Sequence, residues 1–201
     1  MKIPTLTTKA FKIALLAIIT IFSVLSCRKD DEPTVKTYQE ENPLQSYLTT
    51  AGLSVNKDYV NENTNFEFGI EFTPLVKGKI NALVVNIPDT NPTLKVTIWD
   101  ATTKSILRTE LINVTSSNVN VTKDITSINL EKDKKYAITF NSNDWHYRTK
   151  NDASNVTYPI TAGNIRIEKY GWASGILQVY PTNYPTNYYA GDLSFKFQQI
   201  D

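Results

Sequence analysis

Residues 66–74 read FEFGIEFTP. Phe66, Phe68, Ile70 and Phe72 alternate with Glu67, Gly69 and Glu71, and successive side chains of an extended strand point to opposite faces. The stretch predicts a β-strand with four large apolar side chains on a core face and both acids on a solvated one. The same rhythm continues on its C-terminal side. Strands are predicted over residues 79–87, 94–100, 106–111, 136–140, 165–170, 175–179 and 193–197, with a weaker run near 119–128. Pro74, Gly78, Pro88, Pro92 and Gly191 punctuate them as turn residues. No segment sustains a 3.6-residue period for three turns. Short strands with one-sided alternation and no crossover helices predict an all-β fold, an antiparallel, jelly-roll-like β-sandwich over residues 65–201.

The N-terminal side has a different composition. Residues 1–12 carry Lys2, Lys9 and Lys12 without an acid, and Ile13 to Leu25 is apolar or small apart from Thr20 and Ser23. This is the layout of a secretory signal over residues 1–26. Thirteen helical residues reach only about 20 Å, short of the roughly 30 Å a permanent span must cross. Val24-Leu25-Ser26-Cys27 resembles a bacterial lipobox, and Cys27 is the only cysteine. The expectation is a diacylated Cys27 at the mature N-terminus, since more than one acyl chain is needed for stable anchoring. Lys29-Asp30-Asp31-Glu32 then resembles the surface-export signal of Bacteroidetes lipoproteins. An outer-membrane lipoprotein exposed on the cell surface is expected, held by its lipid anchor. Residues 27–43, polar and broken by Pro33 and Pro43, read as a flexible tether. Residues 44–64 read as a short, partly helical lead-in, because Leu44, Tyr47 and Leu48 fall at i, i+3 and i+4.

Removing residues 1–26 leaves 18 basic of the chain's 21 and all 20 acidic residues. Such a near-neutral surface excludes nucleic acid as an expected partner. An acylated Cys27 leaves no thiol for a disulfide, so stability must come from a core.

FEFGIEFTPLVKGKINAL, LKVTIWD, KKYAITF and the closing NYYAGDLSFKF, taken in order, resemble the bacterial family called domain of unknown function 4082, over residues 65–198. The resemblance implies a jelly-roll-like sandwich of extracellular proteins, sometimes found beside carbohydrate-active domains, and it supplies no catalytic residues. The loop from Asn141 to Asn155 and the YPTNYPTNYY segment depart from the family pattern.

The residues offer little for catalysis. His146 is the only histidine, and the chain has no Gly-x-Ser-x-Gly elbow, no HExxH and no paired cysteines. Its seven glycines are not clustered into a phosphate-binding loop. Glu67, Glu71, Glu110, Asp144, Asp152 and Glu168 could in principle supply a glycosidase pair, but they read as solvated surface acids. Asn141-Ser142-Asn143-Asp144 reads as a self-capping turn rather than a calcium loop. No catalytic residue, metal or cofactor is expected.

The aromatic residues carry more information. Eight of the eleven tyrosines lie from Tyr136 onward, several in expected loops. Trp145, His146, Tyr147 and Arg148 share one expected loop, and Tyr170 and Trp172 flank Gly171 at a strand end. Aromatic platforms beside directed polar groups suit a glycan or another extracellular ligand. These six residues form the candidate ligand site. The competing expectation is an accessory subunit that docks on a larger envelope complex. In YPTNYPTNYY, proline biases each preceding tyrosine toward extended geometry, so a stiff loop is expected that either packs over the end of the sandwich, the favoured reading, or displays its tyrosines for interaction.

Replacing Cys27 with serine is expected to leave an uncleaved precursor in the cytoplasmic membrane or a released protein, with the sandwich still folded. Cell fractionation measures this, and continued outer-membrane anchoring of the variant contradicts lipidation.

Overall fold

The computed structural model describes residues 36–176 and 178–200. The signal segment 1–26, Cys27, and Lys29, Asp30, Asp31 and Glu32 lie outside the described residues. The chain begins with β1 (Glu40–Glu41), α1 (Pro43–Ala51) and β2 (Leu53–Tyr59), then enters β3 (Phe66–Pro74), β4 (Gly78–Asn86) and β5 (Asn91–Asp100). It continues through β6 (Ser105–Val114), β7 (Val121–Leu130), β8 (Tyr136–Ser142) and β9 (Trp145–Lys150). It closes with β10 (Ile160–Ala162), β11 (Ile165–Ser174), β12 (Tyr189–Ala190) and β13 (Asp192–Gln199).

The strands form two facing sheets, in the orders β1-β13-β4-β7 and β10-β11-β3-β8-β5-β6, and a small sheet β12-β9-β2; each pairing is antiparallel. Along β1, β3, β4, β5, β6, β7, β8 and β13 the chain changes sheet at every step except β5 to β6. That is the order of a jelly roll. The fold is an all-β antiparallel sandwich, as the alternation predicts.

The inward row of β3 is the one read from sequence. Phe68, Ile70 and Phe72 stand opposite Phe140, Ile138 and Tyr136 of β8, and Phe72 meets Phe195 of the facing sheet at 4.7 Å between ring centroids. Each such side chain, fully buried, contributes roughly 1.5–3 kcal/mol. In β4 the inward set changes parity, with Ile80 and then Leu83, Val85 and Ile87 in the core. The register shift between Ile80 and Ala82 explains this: Asn81 is the extra residue of a bulge. Its side chain donates to Gln198 Oε1 of β13 at 3.2 Å and accepts from Ser127 Oγ of β7 at 2.8 Å, tying the bulge to both neighbours.

Two expected boundaries move. The tether does not run to residue 43, because Glu40 and Glu41 already pair with Gln198 and Phe197. Glu41 is held there by Asn164, whose backbone N–H donates to its carboxylate at 2.8 Å. The lead-in is more than a helical turn. α1 ends at Gly52, whose φ of 69° suits glycine, and β2 then joins β9 edge to edge. Among the described residues, no helix is long and apolar enough to cross a membrane.

The outer face of β3 differs from expectation. Glu67 is 0% exposed, because the described residues of the segment from Gly175 to Tyr188 lie across the larger sheet as a strap. The strand expected at 175–179 does not form among the described residues. Instead the Gly175 N–H donates to Asn65 O at 2.8 Å, and its carbonyl accepts from Asn141 Nδ2 at 2.9 Å. Gln178 Nε2 donates to Thr109 Oγ1 at 2.8 Å, Tyr180 donates to Glu71 Oε1 at 2.8 Å, and Tyr180 meets Trp99 edge-on. The YPTNYPTNYY segment therefore covers a sheet face through Tyr180 to Tyr184 and reaches the sandwich end at Tyr188 and Tyr189. At Gly171 an added Cβ would come within 2.8 Å of the Tyr184 ring and 3.0 Å of Pro181. Only glycine there lets the strap lie this close.

Under the strap, Trp99 Nε1 donates to Thr139 Oγ1 at 2.8 Å, and Thr139 donates to Glu67 Oε1 at 2.5 Å. Glu67 Oε2 has no hydrogen-bond partner among the described residues. Burial pushes the Glu67 carboxyl from its ordinary 4.5 up to about 7, against the lowering influence of Thr139, Asn141 and Lys95. The folded state thus prefers the protonated acid, and its advantage is complete below about pH 4.5 and lost as pH rises through 7. Glu67→Gln is expected to match the parent near pH 4.5 and to exceed it by about 3 kcal/mol at pH 8. Denaturant unfolding at the two pH values measures the difference.

Candidate functional site

β9 covers Trp145 to Arg148, where the sequence suggested a loop. It is a strand because β2 and β12 supply a partner on each edge, through residues far away in sequence. Strand alternation then divides the candidates. Trp145 and Tyr147 point to one face of β9, and His146 and Arg148 to the other.

On the first face, a pocket of about 330 Å³ is lined by Tyr59, Glu62, Phe66, Phe68, Trp145, Tyr147, Trp172, Tyr188 and Ala190. Its size falls at the lower end of the roughly 300–1,000 Å³ range of ligand pockets. Tyr59 stacks on Trp145 at 4.8 Å and 16°, and Tyr147 stacks on Tyr188 at 5.0 Å and 28°. Phe66 meets both Trp145 and Trp172 edge-on, at 5.2 and 5.6 Å. The walls are therefore rings that support one another. Burial raises the pKa of the Tyr147 and Tyr188 hydroxyls, so both stay protonated as donors. The Trp172 indole lowers that of Tyr188 in turn, yet Trp172 Nε1 lacks a partner in hydrogen-bonding geometry among the described residues.

The polar face of β9 is occupied by internal pairs. His146 Nδ1 lies 2.7 Å from Asp58 Oδ1, and Nε2 lies 3.2 Å from Asn86 Oδ1. Arg148 makes a two-pronged contact with Asp192, through Nε at 2.8 Å and through Nη2. That pair borders a smaller polar cavity of about 150 Å³, together with Asn42, Gln45, Asn86 and Asn120. Tyr170 is fully buried, its ring edge-on to Tyr188 and Tyr189. Of the six candidates, Trp145, Tyr147 and Trp172 come together at the aromatic pocket. Arg148 borders the polar cavity on the other side of β9, His146 contacts it through Asn86, and Tyr170 belongs to the core.

The Asn141–Asp144 stretch is a turn capped by its own side chains, with the Asp144 N–H donating to Ser142 Oγ at 2.9 Å. Burial raises the Asp144 carboxyl, and the Asn61 N–H donates to it at 2.6 Å. Among the described residues, no group of three or more His, Cys, Asp or Glu is placed to hold a metal ion.

Six lining residues, Tyr59, Glu62, Phe66, Phe68, Tyr188 and Ala190, were outside the sequence-derived site. Phe66 carried a core signal and stands where the inward row of β3 meets the end of the sandwich. Tyr188 was visible in the tyrosine repeat without a direction attached. Tyr59 gave no signal, because it reaches the pocket only through the pairing of β2 with β9. No family model matches this chain, and no curated protein matches it.

Arg148→Ala leaves Asp192, 4% exposed, as a buried charge without its guanidinium. A loss on the order of 3 kcal/mol in unfolding free energy is expected, measured by denaturant titration. Lys57→Ala, on the exposed part of β2, is expected to cost less than about 0.5 kcal/mol.

Proposed function

We propose that this protein is a non-catalytic envelope lipoprotein whose sandwich binds a glycan or another extracellular ligand in the aromatic pocket. One observation carries the reading: Trp145, Tyr147 and Trp172 converge from two strands with Tyr59 and Tyr188 around one open concavity. Ring faces and edges stack on the C–H faces of a sugar, and tyrosine hydroxyls supply directed hydrogen bonds. The lipobox-like sequence at Cys27 and the export-like Lys29-Asp30-Asp31-Glu32 support anchorage at the outer membrane and display on the surface. The resemblance to domain of unknown function 4082 supports an extracellular setting.

A second reading, an accessory subunit of an envelope complex, draws on a different observation. Edge strand β6 exposes Ile106, Leu107 and Leu111 at 49%, 44% and 52%. An apolar edge of this kind suits docking.

The two readings separate in one experiment. Trp145 is 8% exposed and packs against Phe66 and Phe68, so truncating it would cost fold stability as well as binding. Trp172→Ala and Tyr188→Ala, at half-buried positions, are the cleaner probes. Each is expected to weaken binding on a glycan array about tenfold. A Leu107→Lys, Leu111→Lys variant is expected to leave that binding unchanged. Loss of an envelope partner in the lysine variant, with no array signal from the parent, would favour docking instead.

A further inference from the structure

We propose that the ligand of the aromatic pocket carries an organic cation, either a quaternary ammonium or a protonated amine, which Glu62 and the surrounding rings recognise together. This rests on reading the pocket as a ligand site and adds the chemical class of its occupant.

The first support is charge. Among the residues that line the pocket, Glu62 alone is charged; the others are aromatic, apart from Ala190. Glu62 has no ion-pair partner among the described residues. A single carboxylate beside aromatic walls attracts a cation and repels an anion. Ring faces add to this attraction through their negative quadrupole.

The second support is that Glu62 is held in place. Its backbone N–H donates to Asn143 O at 3.1 Å, and its carbonyl accepts from Asn143 Nδ2 at 3.2 Å. The preceding residue is fixed as well, since the Asn61 N–H donates to the Asp144 carboxylate at 2.6 Å. The turn between β8 and β9 thus clamps the acid's backbone at the pocket. The oxygen-rich Asn141–Asp144 stretch gains a role here as the part that positions Glu62.

The third support is a cation already in contact with the wall. Lys57 Nζ lies 4.2 Å from the Tyr59 ring centroid, within the distance at which a ring attracts an ammonium group. Lys57 does not itself line the pocket.

The test titrates the full-length protein while following the tryptophan indole N–H resonances by NMR. One arm compares choline with dimethylbutanol, its neutral carbon isostere; the other compares a glucosamine oligomer with its N-acetylated counterpart. The charged member of at least one pair is expected to bind about tenfold more tightly than the neutral one. The arm that responds tells a quaternary ammonium from a protonated amine. Glu62→Gln, at an exposed position, is expected to lose about threefold in affinity for the cation and none for the neutral probe. Lys57→Ala, which removes a neighbouring positive charge, is expected to strengthen cation binding. Equal binding of charged and neutral members in both arms overturns the inference and leaves the pocket as a ligand site. A neutral glycan from the array that binds the parent and Glu62→Gln alike overturns it equally. Silence of all four probes and of the array removes the pocket reading as well.

Discussion

Burial of β3 on both faces is the constraint from which the rest of the molecule follows. A strand between β8 and β11 that carries Phe68, Ile70 and Phe72 on one side must face a second sheet, and β4 and β13 supply it. The same strand carries Glu67 on its other side. A sheet of six strands with one bare face would leave Glu67, Glu71, Thr97 and Thr139 in water. The strap removes that option, and each of these polar groups has to be accounted for internally. Thr139, Gln178 and Tyr180 do most of this, and Glu67 accommodates the remainder by favouring its neutral form.

The pocket follows from the same geometry at the end of the sandwich. The inward row of β3 is sealed by the facing sheet at Ile70 and Phe72, whereas Phe68 and, one step beyond it, Phe66 line the pocket. The small sheet of β2, β9 and β12 stands at this end and contributes Tyr59, Trp145 and Tyr147, and the strap contributes Tyr188. These rings pack against one another without closing the space among them. The pocket is a continuation of the hydrophobic core that no part of the described chain fills. Apolar surface left open in this way is covered favourably by any complementary apolar face.

β9 shows how alternation gives one strand two tasks. Its Trp145 and Tyr147 form the open aromatic wall. Its His146 and Arg148 are spent on Asp58, Asn86 and Asp192, which fasten β9 to β2, β4 and β13. A buried ion pair such as Arg148–Asp192 adds little net stability, because desolvation offsets its attraction. Removing one partner is costly nonetheless, so the pair fixes where β9 sits and thereby where the aromatic wall stands.

Much of the fold was legible in the sequence, because burial on one face imposes a two-residue period that can be read locally. FEFGIEFTP identified a core strand, and the succession of similar runs identified an antiparallel sandwich. The sequence also marked the aromatic residues of the pocket as a class, since tyrosines and tryptophans concentrate in its C-terminal half. It could not show that Trp145–Arg148 is a strand whose side chains diverge, because the partners that make it one lie in β2 and β12. Nor could it show that Glu67 is buried, because the covering strap arrives more than a hundred residues later. Local periodicity is written along the chain, whereas the second face of a strand and the walls of a pocket exist only once distant segments meet. Tertiary structure alone therefore decided which acid lost its water, and which rings were left facing an open space.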